Sequence, residues 1–95
     1  MNGRKRINRN IDADFSELCF KPCGIKRTTL DKVEIFEDEM EAIRLADFES
    51  LYQQESADKM GISRTTFSRL VESARKKIAD ALLHKKAIRV KIRES

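Results

Sequence analysis

QQESADKMGISRTTFSRL, residues Gln53 to Leu70, reads as two short helices joined by a tight turn. Gly61 marks the turn, because a chain reversing there needs a left-handed backbone that glycine reaches without steric cost. Ala57 lies one helical turn earlier, where two crossing helices leave room for a methyl group and little more. Met60 and Ile62 flank the glycine and can plug the corner. Ser63 precedes the second helix as an N-cap, its hydroxyl accepting a backbone N–H. These residue types fall at the offsets of a helix-turn-helix, the arrangement that places its second helix in the major groove of DNA. An ordinary helical hairpin with a solvated outer face shares part of the pattern.

The second helix has two unlike sides. Phe67, Leu70, Val71, Ala74, Ile78 and Ala81 recur at spacings of three and four and form one apolar stripe. The opposite side carries Thr65, Ser68, Arg69, Glu72 and Lys76, with Arg64 at its start. On a helix lying in the groove, Thr65, Ser68 and Arg69 face base edges. A bidentate Arg–guanine contact is worth about 1–3 kcal/mol of discrimination, so Arg69 or Arg64 would dominate specificity. Ser63, Thr66, Lys76 and Lys77 fall to the phosphates, which position a protein without specifying sequence.

Working outward, a chain of 95 residues makes one small domain with a modest core, and dimerisation commonly adds to such a core. Net charge is +4, and its distribution is uneven. Residues 1–10 carry four basic and no acidic side chains, and residues 11–30 balance. Residues 31–50 hold eight acids against two bases, and residues 51–95 hold eleven bases against five acids. A basic excess on the proposed recognition helix and at both ends points to a polyanion on one side, with the acidic segment turned away from it. Chance clustering on a solvated surface is the plainer alternative. The chain has two cysteines, no secretory leader pattern and no long apolar run, so the expected setting is soluble, reducing and cytoplasmic, with no membrane partner.

Residues 1–14 are expected to form a flexible basic N-terminal arm, and residues 15–95 a single domain. Such arms can lie along phosphates or enter the minor groove, and a bland tail fits equally. Phe15 and Phe20 are expected to pack on the helical core, and Pro22 and Gly24 to end any regular element. Val33 to Phe36 reads as a brief strand. Glu37 and Asp38 then open a first helix to about Phe48, their charge favourable near its N-terminus. That helix offers Met40, Ile43, Leu45, Ala46 and Phe48 to the core. Leu51 and Tyr52 close the corner before the second helix, Gln53 to Met60, and the third runs from Arg64 to about His84. Leu82 and Leu83 on its last turns are surplus apolar surface, a dimer face or a seat for the N-terminal segment. Ala87 to Arg93 alternates apolar and basic residues, the period of a half-buried strand. A lone strand needs a partner. Val33 to Phe36, with Glu34 toward the basic face, is the intrachain candidate, and the same segment of a second chain is the alternative.

Four stretches together carry a resemblance: Phe20-Lys21-Pro22 with Gly24, EAIRLAD at Glu41 to Asp47, MGISRTTFSR at Met60 to Arg69, and ARKKIADAL at Ala74 to Leu82. The chain resembles, over residues 20–92, a widespread bacterial and archaeal family of small uncharacterised proteins regarded as DNA-binding. Their helix-turn-helix is similar to region four of bacterial sigma factors. The resemblance implies a mainly α fold: a three-helix helix-turn-helix domain of the winged-helix-like superfamily, here with a short C-terminal β-strand. It also implies DNA binding through Ser63 to Arg69. Many members carry alanine before the glycine where this chain has Cys23, so no cysteine chemistry is carried over.

Cys19, Cys23 and His84 are at most three soft ligands, short of the four a structural zinc site uses, so neither a metal nor a cofactor is expected. No Cys–His or Ser–His arrangement of known type and no phosphate loop is present, and the dense carboxylates of residues 31–49 read as a solvated helix face, so catalysis is not expected. The expected partners are double-stranded DNA and a second copy of the chain, with RNA polymerase or another regulator as a further partner. The rival reading is a sigma-like protein–protein interaction adaptor that binds no specific DNA.

Overall fold

In the computed structural model, residues 10–15, 19–24 and 31–93 are described. Three helices pack against a short three-stranded sheet. Strand β1 is Cys19–Phe20, β2 is Lys32–Phe36 and β3 is Ala87–Lys91. Helix α1 covers Glu37–Ile43 and continues as a π-helical segment over Arg44–Phe48. Helix α2 is Gln53–Met60 and α3 is Arg64–His84.

The expected helix boundaries hold, and local chemistry explains each. Helix α1 is capped at Phe36, whose N–H donates to Glu39 Oε1 at 2.8 Å. Gly61 ends α2 in the left-handed region, at φ 69° and ψ 35°, and lets the Ile62 N–H reach the Ala57 carbonyl at 3.1 Å. Ser63 Oγ accepts from the Thr66 N–H at 3.1 Å and caps α3. Lys85, also left-handed, closes α3.

The core lies between the helices. Ala42 and Leu45 of α1, Ala57 and Met60 of α2, and Phe67, Leu70 and Val71 of α3 are buried together. Ala57 leaves no exposed surface at the crossing, as its size requires. Further along α3, buried Ala74 and Ala81 face the sheet side of the molecule, where Ile35 and Ala87 are also buried. One long helix thus serves two layers, its first half against helices and its second against strands.

The C-terminal strand finds its partner within the chain. β3 runs parallel to β2, with Lys32 opposite Ala87 and Phe36 opposite Lys91. Lys91 Nζ lies 3.3 Å from Glu34 Oε2 across that pair. β3 is the central strand, because Cys19–Phe20 pairs with it from the other side, antiparallel. The expectation of a helical domain with a short C-terminal strand, paired at most with Val33 to Phe36, is therefore corrected to a three-stranded sheet that also includes Cys19–Phe20. Two residues preceding a proline turn carry no periodic signal from which β1 could be read.

Three further expectations are corrected. Phe48 is 81% exposed and Tyr52 85% exposed, so neither serves the core. The π-helical turn accounts for Phe48, since five-residue spacing rotates the end of α1 away from the apolar stripe. Phe20 is 60% exposed; it lies over the end of α3 rather than within the helical core. The carboxylates of α1 do not form a solvated face. Asp38, Glu39 and Glu41 are each at most 3% exposed. Of the N-terminal arm, residues 1–9 lie outside the described residues. Asn10 and Asp12 are bonded to the domain: the Asn10 N–H reaches the Met60 carbonyl, its side chain reaches the Lys59 carbonyl, and the Asp12 N–H reaches Glu41 Oε2, all at 3.1 Å.

Candidate nucleic-acid interface

Helix α3 presents the residues singled out from the sequence on two adjoining faces. Arg64, Thr65, Arg69 and Lys76 are exposed, and Ser68 is half-buried between them. These side chains recur at helical spacing and share the side of α3 turned away from the core. Arg64 and Arg69 make no ion pair among the described residues, so their donors face outward.

The remaining candidates are engaged locally. Ser63 Oγ, besides capping the helix, donates to Thr66 Oγ1 at 2.9 Å. Lys77 Nζ donates to Glu39 Oε1 at 2.8 Å and lies 4.8 Å from the centre of the Phe36 ring. Ser73 Oγ donates to the other oxygen of Glu39. The structure therefore brings Arg64, Thr65, Ser68, Arg69 and Lys76 to one open surface and turns Thr66 and Lys77 to its flank.

The buried acids Asp38, Glu39 and Glu41 each hold a cation. Arg93 grips Asp38 through Nε at 2.7 Å and Nη2 at 3.1 Å, and its guanidinium carbon stands 4.0 Å from the Phe36 ring centre. Arg44 binds Glu41 through Nε and Nη2, both at 2.8 Å, and reaches Glu49 at 3.2 Å. Burial raises the Glu41 pKa, but the bonds from Arg44 and from the N–H groups of Asp12 and Ala13 outweigh it and hold the carboxyl below its ordinary 4.5. The Glu41 carboxylate in turn raises the Arg44 pKa. Arg75 clasps Asp47 with two donors, which lowers the Asp47 pKa and raises that of Arg75. The acids of α1 and its π-helical turn thus pair with Arg44, Arg75, Lys77 and Arg93, while Arg64, Arg69 and Lys76 on the outer side of α3 make no ion pair among the described residues.

Sequence reasoning missed Arg93. The alternation of residues 87–93 assigned it to the basic side of a strand, but β3 ends at Lys91 and the chain then turns Arg93 onto α1. No local signal identifies Asp38 as its partner, 55 residues away. Among the described residues, Cys19 is half-buried and Cys23 exposed, both as free thiols. No three His, Cys, Asp or Glu side chains there cluster for a metal ion, and no helix there is long and apolar enough to cross a membrane.

Fold and surface together define a small domain of three helices and a three-stranded sheet with an open basic helix face. The chain belongs to the family described as "Protein of unknown function DUF134", whose model matches residues 1–94. A UPF0251 protein of Prosthecochloris aestuarii is 45% identical over 86 residues, covering 90% of this chain and 56% of the relative. A UPF0251 protein of Thermoanaerobacter sp. is 55% identical over 71 residues, 75% of this chain and 63% of the relative. One from Vibrio parahaemolyticus is 47% identical over 85 residues, 90% of this chain and 88% of the relative. The chain thus spans less than two thirds of the first two relatives and most of the third. No solved structure matches it significantly.

Proposed function

We propose that this chain is a sequence-specific DNA-binding protein of the helix-turn-helix kind, similar to region four of sigma factors, and acts as a transcriptional regulator in the cytoplasm. The observation that carries the reading is the outer side of α3. That helix starts at a capped turn behind a left-handed glycine and exposes Arg64, Thr65, Arg69 and Lys76, while Glu39 and Asp38 are spent on Lys77 and Arg93. Helix α2 crosses the sugar-phosphate backbone, α3 enters the major groove, and Thr65, Ser68 and Arg69 face base edges. Ser63, Thr66, Lys76 and Lys77 serve the phosphates, Ser63 through the helix N-terminus it caps. The protein acts as a homodimer, since one short recognition helix spans few base pairs. The exposed Leu82 and Leu83 near the end of α3 supply apolar surface for the contact.

The test is selection of the purified protein against a random duplex library. An enriched motif is expected, and Arg69→Ala is expected to lose about 1–3 kcal/mol of discrimination at one base pair while folding normally. Absence of any enriched motif with folded protein would count against the reading.

A second reading, a sigma-like adaptor that binds RNA polymerase or another regulator, is favoured by one observation: Phe48 and Tyr52, flanking the α1–α2 corner, are almost fully exposed. Salt dependence separates the two. With six to ten phosphate contacts, DNA affinity falls about 10³–10⁵-fold between 50 and 200 mM salt. An adaptor binds its protein partner through Phe48 and Tyr52 with little of that dependence.

A further inference from the structure

Beside the outer face of α3 lies an open concavity of about 470 Å³. Its walls are Thr66, Arg69, Leu70, Ser73 and Lys77 along one side of α3, with Glu39 from α1, Phe36 from the end of β2 and Arg93 from beyond β3. Two features distinguish it from an ordinary basic patch. Its cations are preset: Arg93 is fixed by Asp38 and Lys77 by Glu39, and both carboxylates are buried. Both cations also pack on the Phe36 ring, Arg93 at 4.0 Å and Lys77 at 4.8 Å from its centre. Neither side chain loses much freedom on meeting a ligand.

Their donors are not exhausted. An ammonium has three N–H groups, of which Lys77 gives one to Glu39, and a guanidinium has five, of which Arg93 gives two to Asp38. Thr66 accepts from Ser63 and keeps its own hydroxyl hydrogen to donate. Arg69 makes no ion pair among the described residues. Glu39 and Asp38 match the charges of Lys77 and Arg93, so the pull on an anion comes from the spare donors of those two side chains, and Arg69, the residue turned to the bases, adds one unmatched positive charge at the rim.

The position of the concavity identifies the anion. Thr66, Ser73 and Lys77 lie one residue on from Thr65, Glu72 and Lys76, so this face is rotated about a quarter turn from the one that meets the bases. An α-helix with its side chains, about 10–12 Å across, fills a major groove about 12 Å wide. A face a quarter turn from the groove floor therefore meets the groove wall, which is the sugar-phosphate backbone. We propose that the concavity seats a backbone phosphate of the bound duplex, held by Arg93, Lys77 and Thr66. This inference rests on the DNA-binding reading above and adds to it a residue from the far end of the chain. Arg93 couples the sheet to the DNA: the turn after β3 places it, Asp38 aims it, and the phosphate takes its outer edge.

The test measures binding of the full chain to a labelled duplex carrying its selected site and to a scrambled duplex, across 50–200 mM salt. Arg93→Gln is expected to weaken both duplexes by the same factor. It is also expected to make the slope of log affinity against log salt shallower by about 0.9, the value of one lost phosphate contact. A merely structural role for Arg93 lowers the active fraction and leaves that slope unchanged. Should Arg93→Gln not fold because the buried Asp38 carboxylate loses its guanidinium, the Asp38→Asn, Arg93→Gln double variant removes that charge and is read the same way. A wild-type slope in a folded variant overturns the phosphate seat and spares the DNA reading. Failure of the wild-type chain to bind any duplex overturns both.

Discussion

At the scale of the residue, the telling groups are the buried polar ones. Glu41 is held ionised by Arg44 and two backbone N–H groups, so its folded pKa lies below its unfolded one. The stability it contributes is fully present above pH 4.5, its ordinary value, and is lost as pH falls from there through the depressed folded pKa. Glu41→Gln is expected to cost about 1.5–3 kcal/mol at neutral pH, the worth of hydrogen bonds to a charged group. In urea denaturation at both pH values, the difference from wild type should shrink well below pH 4.5. Ser56 is the opposite case. Its hydroxyl is buried in α2 without a hydrogen-bond partner among the described residues. An unmet buried hydroxyl costs about 1–3 kcal/mol, so Ser56→Ala should raise the thermal midpoint. An unchanged or lowered midpoint would mean that a water or a residue outside the described set satisfies it.

At the scale of the element, the turn at Gly61 and the long α3 decide the layout. Gly61 sits at φ 69°, and a Cβ there would come within 3.4 Å of Asn10 Nδ2. Gly61→Ala should therefore cost about 1–2 kcal/mol from the left-handed backbone alone. The loss should appear as a lower urea midpoint at unchanged m-value. The helices were legible in the sequence because each has its own punctuation: acids at Glu37 and Asp38, a glycine at 61, a hydroxyl cap at 63. The two strands were legible too, since residues 87–92 alternate and Val33 to Phe36 is short and mostly apolar, with their pairing one of two alternatives. What escaped was β1, two residues long, and the π-helical turn at Arg44–Phe48. Neither has a periodicity of its own; the turn that swings Phe48 outward also carries Asp47 to Arg75 and Arg44 to Glu49.

At the scale of the whole molecule, charge is sorted by burial. Asp38, Glu39 and Glu41 are buried and take up Arg93, Lys77 and Arg44, exposed Asp47 takes up Arg75, and Arg64, Arg69 and Lys76 on the outer side of α3 are left without an ion pair among the described residues. Apolar surface is left near the far end of the same helix at Leu82 and Leu83. If the dimer forms there, Leu83→Lys should convert it to a monomer in sedimentation equilibrium. The selected site should then change from two inverted half-sites about one helical turn, about 34–36 Å, apart to a single half-site. A dimer that persists in Leu83→Lys places the interface elsewhere.

The sequence by itself determined the three helices, the left-handed turn and serine cap between the last two, the apolar stripe of α3 and the existence of the C-terminal strand. Each follows from spacing or from backbone preference, which are local. Only the tertiary structure decided which charges remain available. Asp38 finds Arg93, and Glu39 finds Lys77 and Ser73, across 34 to 55 residues of chain. A carboxylate three residues into a helix looks the same in sequence whether it faces water or a guanidinium. Burial and the approach of a distant segment settle that, and neither is written in the local pattern.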